Sequence, residues 1–375
     1  MKILVVNWRC PKNPEMGGAE VHMHEIFRRV ARKGHKVTYV AHSFPGAPQI
    51  EIFEGVEIRR TGNKFIFNRQ FRRYYKKYLA SENFDLIVDD ISKIPLRTPE
   101  YIDKPLVGII HHLHGASLYK ELPRFIANYI IRSEKMIPKI YRETPIFAVS
   151  QSTKTELIEL GQPENKIDIL YNAINHELFS NVKVDKFSDP TISYIGRIKK
   201  YKNLEAVIDI LPSLKDKIPA IKFRVGGTGD HLPKLKNYVE QKGLTGSVEF
   251  LGYLTEEQKA EEMAKAWLFI TMALKEGWGI TVIEANASGT PVVGSNVPGL
   301  RDSIKNNVTG KLVDLDNREE LLTVLVKLLG DSEELAKMSA EAKKWASNFT
   351  WDASAEHFLQ KVYEWYPQLK SSQSN

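Results

Sequence analysis

Short apolar runs rich in valine and isoleucine alternate with amphipathic helical patterns along the chain. In the first half the apolar runs lie at residues 2–6, 36–41, 86–89, 106–111 and 146–149. A helical period at residues 19–33 separates the first two runs. Apolar strands that alternate with helices are typical of a parallel sheet covered by helices on both faces. The pattern therefore predicts an α/β fold.

The same alternation restarts in the second half of the chain. Its predicted strands are residues 191–195, 222–225, 247–250, 268–271, 291–294 and 311–313, with a helix at 204–211. The polar segment 181–189, which is followed by a proline, is the best place for a break. We therefore expect an N-terminal domain at residues 1–180 and a C-terminal domain at 181–350. The rest, 351–375, is expected to form a helix that packs back on the first domain, followed by a disordered tail.

Composition and charge narrow the class of protein. The 375 residues include a single cysteine, Cys10, which excludes an intrachain disulfide and suggests a reducing compartment. No apolar run approaches the ~20 residues that a transmembrane helix needs. Residues 1–180 contain 27 Lys and Arg against 20 Asp and Glu, whereas residues 181–375 contain 26 of each. The whole excess of +7 therefore lies in the first half, which favours an anionic partner there.

The most informative stretch is the glycine-rich run at residues 275–294. Glu276-Gly277-Trp278-Gly279 is predicted to be a loop, and residues 280–287 are predicted to begin a helix. The free N–H groups of a helix N-terminus behind such a loop form an anion site. Glu276 and Glu284 are placed to accept hydroxyl hydrogen bonds on either side of that anion. A diphosphate that joins a sugar to a ribose would satisfy this arrangement.

Other candidate residues also follow predicted strands, where open α/β sheets bind their ligands. Gly17 and Gly18 open the first helix and could hold a phosphate on backbone amides. Arg197 and Lys202 follow the first strand of the second half and could neutralise a diphosphate leaving group. Gly227 and Gly229 again allow close backbone approach. Each glycine segment alone could equally be a tight turn, and a basic segment such as that of Arg197 and Lys202 is, taken alone, more often a solvated loop.

Three histidines, His111, His112 and His114, follow the apolar part of a predicted strand, which ends at residues 109–110. No acidic or cysteine ligand accompanies them at a defined spacing, so a zinc site is not favoured. A histidine at a strand end is better placed to donate a hydrogen bond to a substrate hydroxyl. We predict no metal and no cofactor.

Taken together, these segments resemble the retaining glycosyltransferases of family 4, which have the GT-B fold of two Rossmann-like domains facing across a cleft. The second half carries the resemblance most clearly, in the order GRIKKYKNLE, GGTGD, VEFLGYL, KEGWGITVIEANASGTPVV, PGLRDSI and NNVTGKLV. Three positions depart from the family pattern: Tyr171 stands where proline is usual, and Ala173 and Asn203 stand where glycine is common.

The resemblance implies roles for individual residues. Arg197, Lys202, Glu276 and His111 would be catalytic, with the two cations stabilising the departing diphosphate. His112 and His114 would lie on the acceptor side. The residues that would bind the donor are Gly17, Gly18, Gly227, Gly229, Tyr253, Gly277, Trp278, Gly279, Ile280, Thr281 and Glu284. The reaction would transfer a hexose-type sugar from a UDP- or GDP-linked donor to a hydroxyl acceptor, with retention of configuration and without a metal.

Two segments of the first half, residues 64–78 and 122–141, are both basic and aromatic. Each can be drawn as a helix able to lie on an anionic membrane, or equally as a packing helix with a solvated basic face. The expected partners are thus a nucleoside diphosphate sugar, a glycan or lipid-linked acceptor, and a membrane surface on the cytoplasmic side, but no nucleic acid. Two alternatives stay open: a sugar-nucleotide epimerase of the same architecture, and a catalytically silent module that binds sugar nucleotides or membranes.

Overall fold

The chain folds into two compact units, and each has its own parallel sheet. The structure, a computed structural model, describes residues 1–120 and 122–371. One unit comprises Met1–Ala173 together with the chain from Trp351 onward, and the other is Ile174–Thr350. The chain thus passes from the first unit to the second between Ala173 and Ile174, before the polar segment at 181–189. Most of the predicted disordered tail, residues 372–375, falls outside the described residues.

The first unit is built on an eight-stranded sheet. Its strands are β1 (Lys2–Val6), β2 (Lys36–Ala41), β3 (Ile50–Phe53), β4 (Val56–Arg60), β5 (Leu86–Asp90), β6 (Leu106–Ile110), β7 (Ile146–Ala148) and β8 (Ile167–Ile169). They are ordered β3-β4-β2-β1-β5-β6-β7-β8, and every pairing is parallel except that of β3 with β4. The helices of this unit are α1 (Gly18–Arg32), α2 (Phe67–Tyr74), α3 (Arg124–Lys135), α4 (Ile137–Ile140) and α5 (Gln151–Glu159).

The second unit is built on a six-stranded sheet in which all pairings are parallel. Its strands are β9 (Thr191–Ile195), β10 (Lys222–Gly226), β11 (Val248–Gly252), β12 (Leu268–Thr271), β13 (Val292–Ser295) and β14 (Gly310–Val313), in the order β11-β10-β9-β12-β13-β14. Its helices are α6 (His176–Phe179), α7 (Glu205–Lys217), α8 (Leu232–Gln241), α9 (Glu256–Lys265), α10 (Ile280–Ala287), α11 (Leu300–Ser303), α12 (Arg318–Leu329) and α13 (Ser332–Ala346). The predicted α/β class of two parallel-sheet domains is confirmed.

The antiparallel hairpin β3–β4 departs from the expected parallel pattern. Its turn is made by Glu54 and Gly55, which both have positive φ, at 47° and 85°. Two central residues with positive φ give the turn a twist that suits a tight antiparallel hairpin. Glutamate is an unusual residue for this conformation, so the segment carries no standard turn signal.

The chain returns to the first unit through α14 (Trp351–Trp365), which is followed by α15 (Gln368–Ser371). Phe358 on α14 is fully buried, and its ring lies 5.1 Å from that of Phe27 on α1 and 5.5 Å from that of Phe147 on β7. Tyr366 donates from its hydroxyl to the backbone oxygen of Leu106 at 2.7 Å. These contacts tie the end of the chain to the sheet that its beginning forms.

Removing the Phe358 ring should therefore destabilise the first unit. We expect Phe358→Ala to cost about 3–5 kcal/mol of unfolding free energy, because the ring is lost from a closed aromatic cluster. Urea unfolding followed by far-UV circular dichroism measures the change. Phe125→Ala is the matched control, since that ring is 74% exposed. Equal effects of the two substitutions would show that α14 does not stabilise the unit.

Candidate functional site

The candidate residues of the second unit lie where the strand order of its sheet changes direction. The chain forms β9 in the middle of the sheet, adds β10 on one side, and later adds β12 on the other side of β9. In open α/β sheets, ligands bind at such a switch point, beyond the carboxyl ends of the strands. The loops after β9 and β12 meet there, since the Leu274 N–H donates to the Tyr201 carbonyl at 2.8 Å.

Lys202 and Glu276 form a salt bridge between these two loops. The side chains are 15% and 18% exposed, so the pair is largely withdrawn from water. Burial lowers the pKa of Lys202, but Glu276, Tyr201 and Tyr194 together outweigh burial, and the net pKa is raised above its ordinary value. The next residue, Asn203, has a φ of 55°. Asparagine tolerates this left-handed conformation, which explains why it can stand where the family often has glycine.

Arg197 lies on the same loop in a different environment. Its side chain is exposed, and it forms no salt bridge within the described chain. The backbone around it is held in place, because the hydroxyl of buried Tyr194 donates to the Arg197 carbonyl at 3.0 Å. Of the two cations predicted to bind a diphosphate, Lys202 is thus already paired, whereas Arg197 is available to a ligand.

Gly227 and Gly229 serve a purpose that the sequence did not reveal. A Cβ at Gly227 would lie 1.9 Å from the carbonyl oxygen of Gly196, and one at Gly229 would lie 2.1 Å from that of Ile198. Between them, the Ile198 N–H donates to the Thr228 carbonyl at 2.8 Å. These glycines are therefore required for close packing against the loop that carries Arg197, whatever ligand that loop binds.

The loop before α10 is shaped by two more glycines. Gly279 caps the helix with a φ of 86°. Gly299, with a φ of 80°, lies beneath the loop, and a Cβ there would come within 2.4 Å of the Glu276 carbonyl. The Trp278 side chain is buried against Phe349, with ring centroids 5.1 Å apart. Trp278 thus anchors the loop through its ring and can offer a ligand only its backbone.

Ile280 and Thr281 are partly exposed in the first turn of α10. The N–H groups of a first helical turn have no partner within the helix, and the helix dipole places partial positive charge there. Gly277 is partly exposed in the preceding loop. The N–H groups at the start of α10 and the loop before them suit an anion, which is the role that the sequence predicts for this helix N-terminus.

Glu284, one turn further along α10, is buried and paired with a residue that sequence analysis missed. Its Oε1 accepts from the ammonium of Lys259 on α9 at 2.8 Å. Its Oε2 is buried and has no hydrogen-bond partner in the described chain. Burial raises the pKa of Glu284, while the Lys259 charge acts in the opposite direction. No spacing rule connects Lys259 with Glu284, because they lie on different helices.

Tyr253 directly follows β11 and is 78% exposed. The strand end before it is fixed by a hydrogen bond of 2.6 Å from the Gly227 N–H to the Gly252 carbonyl. The ring is therefore available for stacking, at the carboxyl end of the strand next to β10.

In the first unit, Gly17 is the N-cap residue of α1, and Gly18 is the first helical residue. The Gly17 N–H donates to the Glu20 carboxylate at 2.6 Å. Burial raises the pKa of Glu20. One of the two amides predicted to hold a phosphate is thus used within the helix terminus itself, whereas Gly18 is exposed.

His111 lies in a chain of three polar side chains. Its Nδ1 is 3.0 Å from Asp90 Oδ1 at the end of β5, and its Nε2 is 3.0 Å from Nδ1 of His22 on α1. His22 is fully buried, and burial lowers its pKa well below the ordinary value. Both ring nitrogens of His111 are therefore engaged, and Asp90 and His22 are the functional neighbours that sequence analysis missed.

His112 and His114 contact each other through their Nε2 atoms at 2.9 Å. Buried Glu134 on α3 holds this loop by accepting from the backbone N–H groups of His114 and Gly115, and it also contacts His114 Nδ1 at 3.0 Å. In the part of the chain that the structure describes, no three His, Cys, Asp or Glu side chains converge to hold a metal ion.

The two basic and aromatic segments of the first unit both expose aromatic rings. In the segment 64–78, Phe67, Phe71 and Tyr75 pack into the core, whereas Phe65 and Tyr78 are 84% and 51% exposed. On α3, Phe125 and Tyr129 are 74% and 56% exposed. None of the helices within residues 1–120 and 122–371 has the length and apolar character needed to cross a membrane.

A side chain at Gly227 should disturb the loop that carries Arg197 and Lys202. We expect Gly227→Ala to cost at least about 1–3 kcal/mol, because its φ of 124° is unfavourable for alanine and the new Cβ meets the Gly196 backbone. Gly246→Ala is the control, since a Cβ there meets nothing within 4 Å. Differential scanning calorimetry would measure both variants. A Gly227→Ala variant as stable as Gly246→Ala would contradict the close packing of the two loops.

Comparison with known proteins places the chain in a family. Residues 16–178 match the family described as Glycosyltransferase Family 4, and residues 177–345 match Glycosyl transferases group 1. The phosphatidyl-myo-inositol mannosyltransferase of Mycolicibacterium smegmatis is 26% identical over 380 residues, which cover 95% of this chain and 92% of that protein.

Two solved structures show the same fold. Sucrose-phosphate synthase from Thermosynechococcus elongatus has a TM-score of 0.82 at 18% identity, with 99% of each chain covered. Anabaena HepE, solved with UDP-glucose, has a TM-score of 0.76 at 17% identity, with 97% of this chain and 100% of that chain covered. Since the two family matches together extend from residue 16 to residue 345, this chain belongs to the family 4 glycosyltransferases of group 1 and has the GT-B fold.

Proposed function

We propose that this glycosyltransferase moves a hexose-type sugar from a nucleoside diphosphate sugar, UDP- or GDP-linked, to a hydroxyl acceptor with retention of anomeric configuration. The acceptor that we propose is lipid-linked or a glycan of the cell envelope. The second unit holds the donor in this scheme.

The observation that carries the proposal is the set of charges at the switch point of the second sheet. Lys202 and Arg197 follow β9, while Glu276, the N-terminus of α10 and Glu284 follow the adjacent strand β12. Cations and helix N–H groups suit a diphosphate, and carboxylates on either side suit the hydroxyls of a sugar and a ribose. The buried Oε2 of Glu284 has no hydrogen-bond partner within residues 1–120 and 122–371, and a bound ribose would satisfy this acceptor.

Similar proteins support this donor class. Anabaena HepE has been solved with UDP-glucose, and the mycobacterial relative is named as a mannosyltransferase. The name of that relative also includes phosphatidyl-myo-inositol, which supports a lipid acceptor. The likeness to HepE supports UDP as the base-bearing part of the donor, and Tyr253 is available to stack on the base.

The chemistry we propose needs charge stabilisation of the leaving group more than it needs a nucleophile from the protein. As the bond between the anomeric carbon and the diphosphate breaks, negative charge grows on the diphosphate. Lys202, Arg197 and the N–H groups of Ile280 and Thr281 are fixed donors for that charge. The acceptor hydroxyl attacks from the face that the diphosphate leaves. Glu276 then binds sugar hydroxyls, and no metal takes part.

In the first unit, we propose that His111 acts on the substrate, with His112 and His114 on the acceptor side. The hydrogen bond of His111 Nδ1 with Asp90 fixes the orientation of its ring. Its Nε2 contacts His22 and must exchange that contact for a substrate hydroxyl if the side chain is to donate.

Removal of the Lys202 charge should abolish turnover. With UDP-glucose and GDP-mannose as probes and water as the acceptor, we expect Lys202→Met to slow nucleoside diphosphate release about 10²–10³-fold. Lys199→Met is the matched control, because Lys199 lies on the same loop and pairs with exposed Asp230 at 2.8 Å. Liquid chromatography of the released UDP or GDP gives the rate. Chelation by EDTA should leave the wild-type rate unchanged.

Two outcomes would contradict this function. Equal rates for Lys202→Met and Lys199→Met would remove the charge-stabilisation role. Glucose that appears first as the β anomer from the α-linked donor, followed by proton NMR, would show inversion. Turnover without release of free nucleoside diphosphate would instead point to the epimerase alternative, and thermal shifts by UDP or GDP without any turnover would point to a silent binding module.

We further propose that the first unit contacts an anionic membrane surface at the cytoplasmic face. Asn68 on α2 donates to the Ile94 carbonyl, and Ile94 packs in the small apolar cluster beneath α3, so the two basic segments are neighbours. Exposed Phe125 and Tyr129 on α3 supply apolar contact. Exposed arginines and lysines, Arg69, Arg72, Arg73, Lys76, Lys77, Arg124 and Arg132, supply charge.

Loss of an exposed aromatic ring on α3 should weaken membrane binding. We expect Phe125→Ala to lower partitioning onto vesicles of 7:3 phosphatidylcholine and phosphatidylglycerol by roughly 3- to 10-fold. Ile52→Ala is the control, because Ile52 is 77% exposed but lies on β3, away from the basic segments in sequence. Co-sedimentation measures the bound fraction. Equal binding to pure phosphatidylcholine vesicles, or no binding at all, would contradict the proposal.

A further inference from the structure

Lys259 on α9 is largely buried and has a complete set of partners. Its ammonium lies 2.8 Å from Glu284 Oε1 on α10 and 3.2 Å from Glu256 Oε2 on its own helix. It also lies 5.2 Å from the ring centroid of buried Phe179 on α6. An ammonium has three N–H donors, and two carboxylates with one aromatic face account for them. Elements α6, α9 and α10 thus fix the position of this charge.

The partner carboxylate is only half used. Lys259 occupies Oε1 of Glu284, whereas Oε2 is buried and accepts no hydrogen bond from any described residue. A buried acceptor without a partner destabilises the folded state, so a fold keeps one where a ligand or water supplies the missing donor. A carboxylate with one oxygen tied down cannot rotate freely, and the direction of the other oxygen is then set.

We propose that Lys259 is a positioning residue, which holds Glu284 ionised and turned so that Oε2 accepts hydrogen bonds from the ribose hydroxyls of the donor nucleotide. This inference rests on the proposed function, because it takes Glu284 as the ribose ligand. Lys259 itself does not touch the reacting atoms. It acts through Glu284 and therefore affects recognition of the ribose rather than the bond-breaking step.

A purely structural salt bridge is the competing explanation, and the chain offers a comparison. Lys265 lies on the same helix and pairs with Glu261 one turn away, where both side chains are substantially exposed. Exposed pairs of this kind stabilise proteins only slightly. A substitution at Lys265 thus removes the same type of side chain from α9 without touching Glu284.

The test compares UDP with 2′,3′-dideoxy-UDP by isothermal titration calorimetry, or GDP with its dideoxy form if GDP proves to be the nucleotide bound. In the wild type we expect the dideoxy compound to bind about 10- to 100-fold more weakly, since it lacks the hydroxyls that bond to a charged carboxylate. In Lys259→Met the ratio of the two dissociation constants, dideoxy-UDP to UDP, should fall to within about threefold of unity, mainly because UDP binds more weakly. Lys259→Arg should restore most of the ratio, and Lys265→Met should keep all of it.

Glu284→Gln separates the failure of this inference from that of the proposed function. One outcome is that Glu284→Gln loses the difference in affinity between UDP and dideoxy-UDP while Lys259→Met keeps it. In that case Lys259 has no positioning role, but Glu284 still binds ribose. If the wild type itself shows no ratio, or binds neither nucleotide, the assignment of Glu284 and the inference both fail. If both single variants lose the ratio, the double variant should show no further loss, because the two residues act as one unit.

The pH dependence of UDP affinity gives a second readout, which does not depend on the stability of the variant. The charges that act on Glu284 are Lys259 and Glu256, both on α9. Without the lysine, burial and Glu256 both raise the pKa of Glu284. The affinity of Lys259→Met for UDP should therefore recover as the pH rises and the Glu284 carboxyl ionises. The affinity of the wild type should change less over the same range. A profile parallel to that of the wild type would overturn the inference.

Discussion

The salt bridge between Lys202 and Glu276 is the interaction on which the arrangement of the loops after β9 and β12 depends. A lysine that is largely withdrawn from water must have a counter-charge nearby, because its desolvation otherwise costs several kcal/mol. Here the counter-charge comes from a loop on a different strand, 74 residues away in sequence. The pair can form only because β9 and β12 are neighbours in the sheet, and the bond from Leu274 to Tyr201 keeps their loops together. Parallel strand order therefore determines which charges meet.

Glycine makes this meeting of loops possible. Gly227 and Gly229 let the loop after β10 pack directly on the backbone that carries Arg197, and Gly299 does the same beneath Glu276. A Cβ at any of these positions would come within 1.9–2.4 Å of a backbone carbonyl oxygen, so the loops would have to move apart. The Trp278 ring, buried against Phe349, then prevents the Glu276 loop from sliding. The binding residues are thus held by backbone contacts that have no direct role in chemistry.

Much of this architecture could be predicted from the sequence, and the exceptions have physical causes. Strands β1, β2, β9 and β12 begin and end at the predicted residues, because apolar runs flanked by polar turns fix their limits, and helix α10 begins at the predicted residue. The β3–β4 hairpin was missed, since glutamate rarely takes the positive φ that Glu54 adopts. The chain passes from the first unit to the second after Ala173, and the predicted boundary rests on the polar segment 181–189, which follows that point. The partners Lys259, Asp90 and His22 were also missed, because pairing between distant elements leaves no local pattern.

Glu276 and Glu284 are each paired with a lysine, but the two pairs must respond differently to a ligand. On the proposed function, a diphosphate brings enough negative charge to replace Glu276 as the partner of Lys202, which frees Glu276 for the hydroxyls of the sugar. The pair of Glu284 and Lys259 need not open, because Oε2 has no hydrogen-bond partner among the described residues. On this scheme the first pair would couple binding of the diphosphate to recognition of the sugar, whereas the second would be preformed for the ribose. A nucleoside diphosphate would then bind without its sugar by using the preformed contact, and the sugar would add its contacts only after the first salt bridge has exchanged partners.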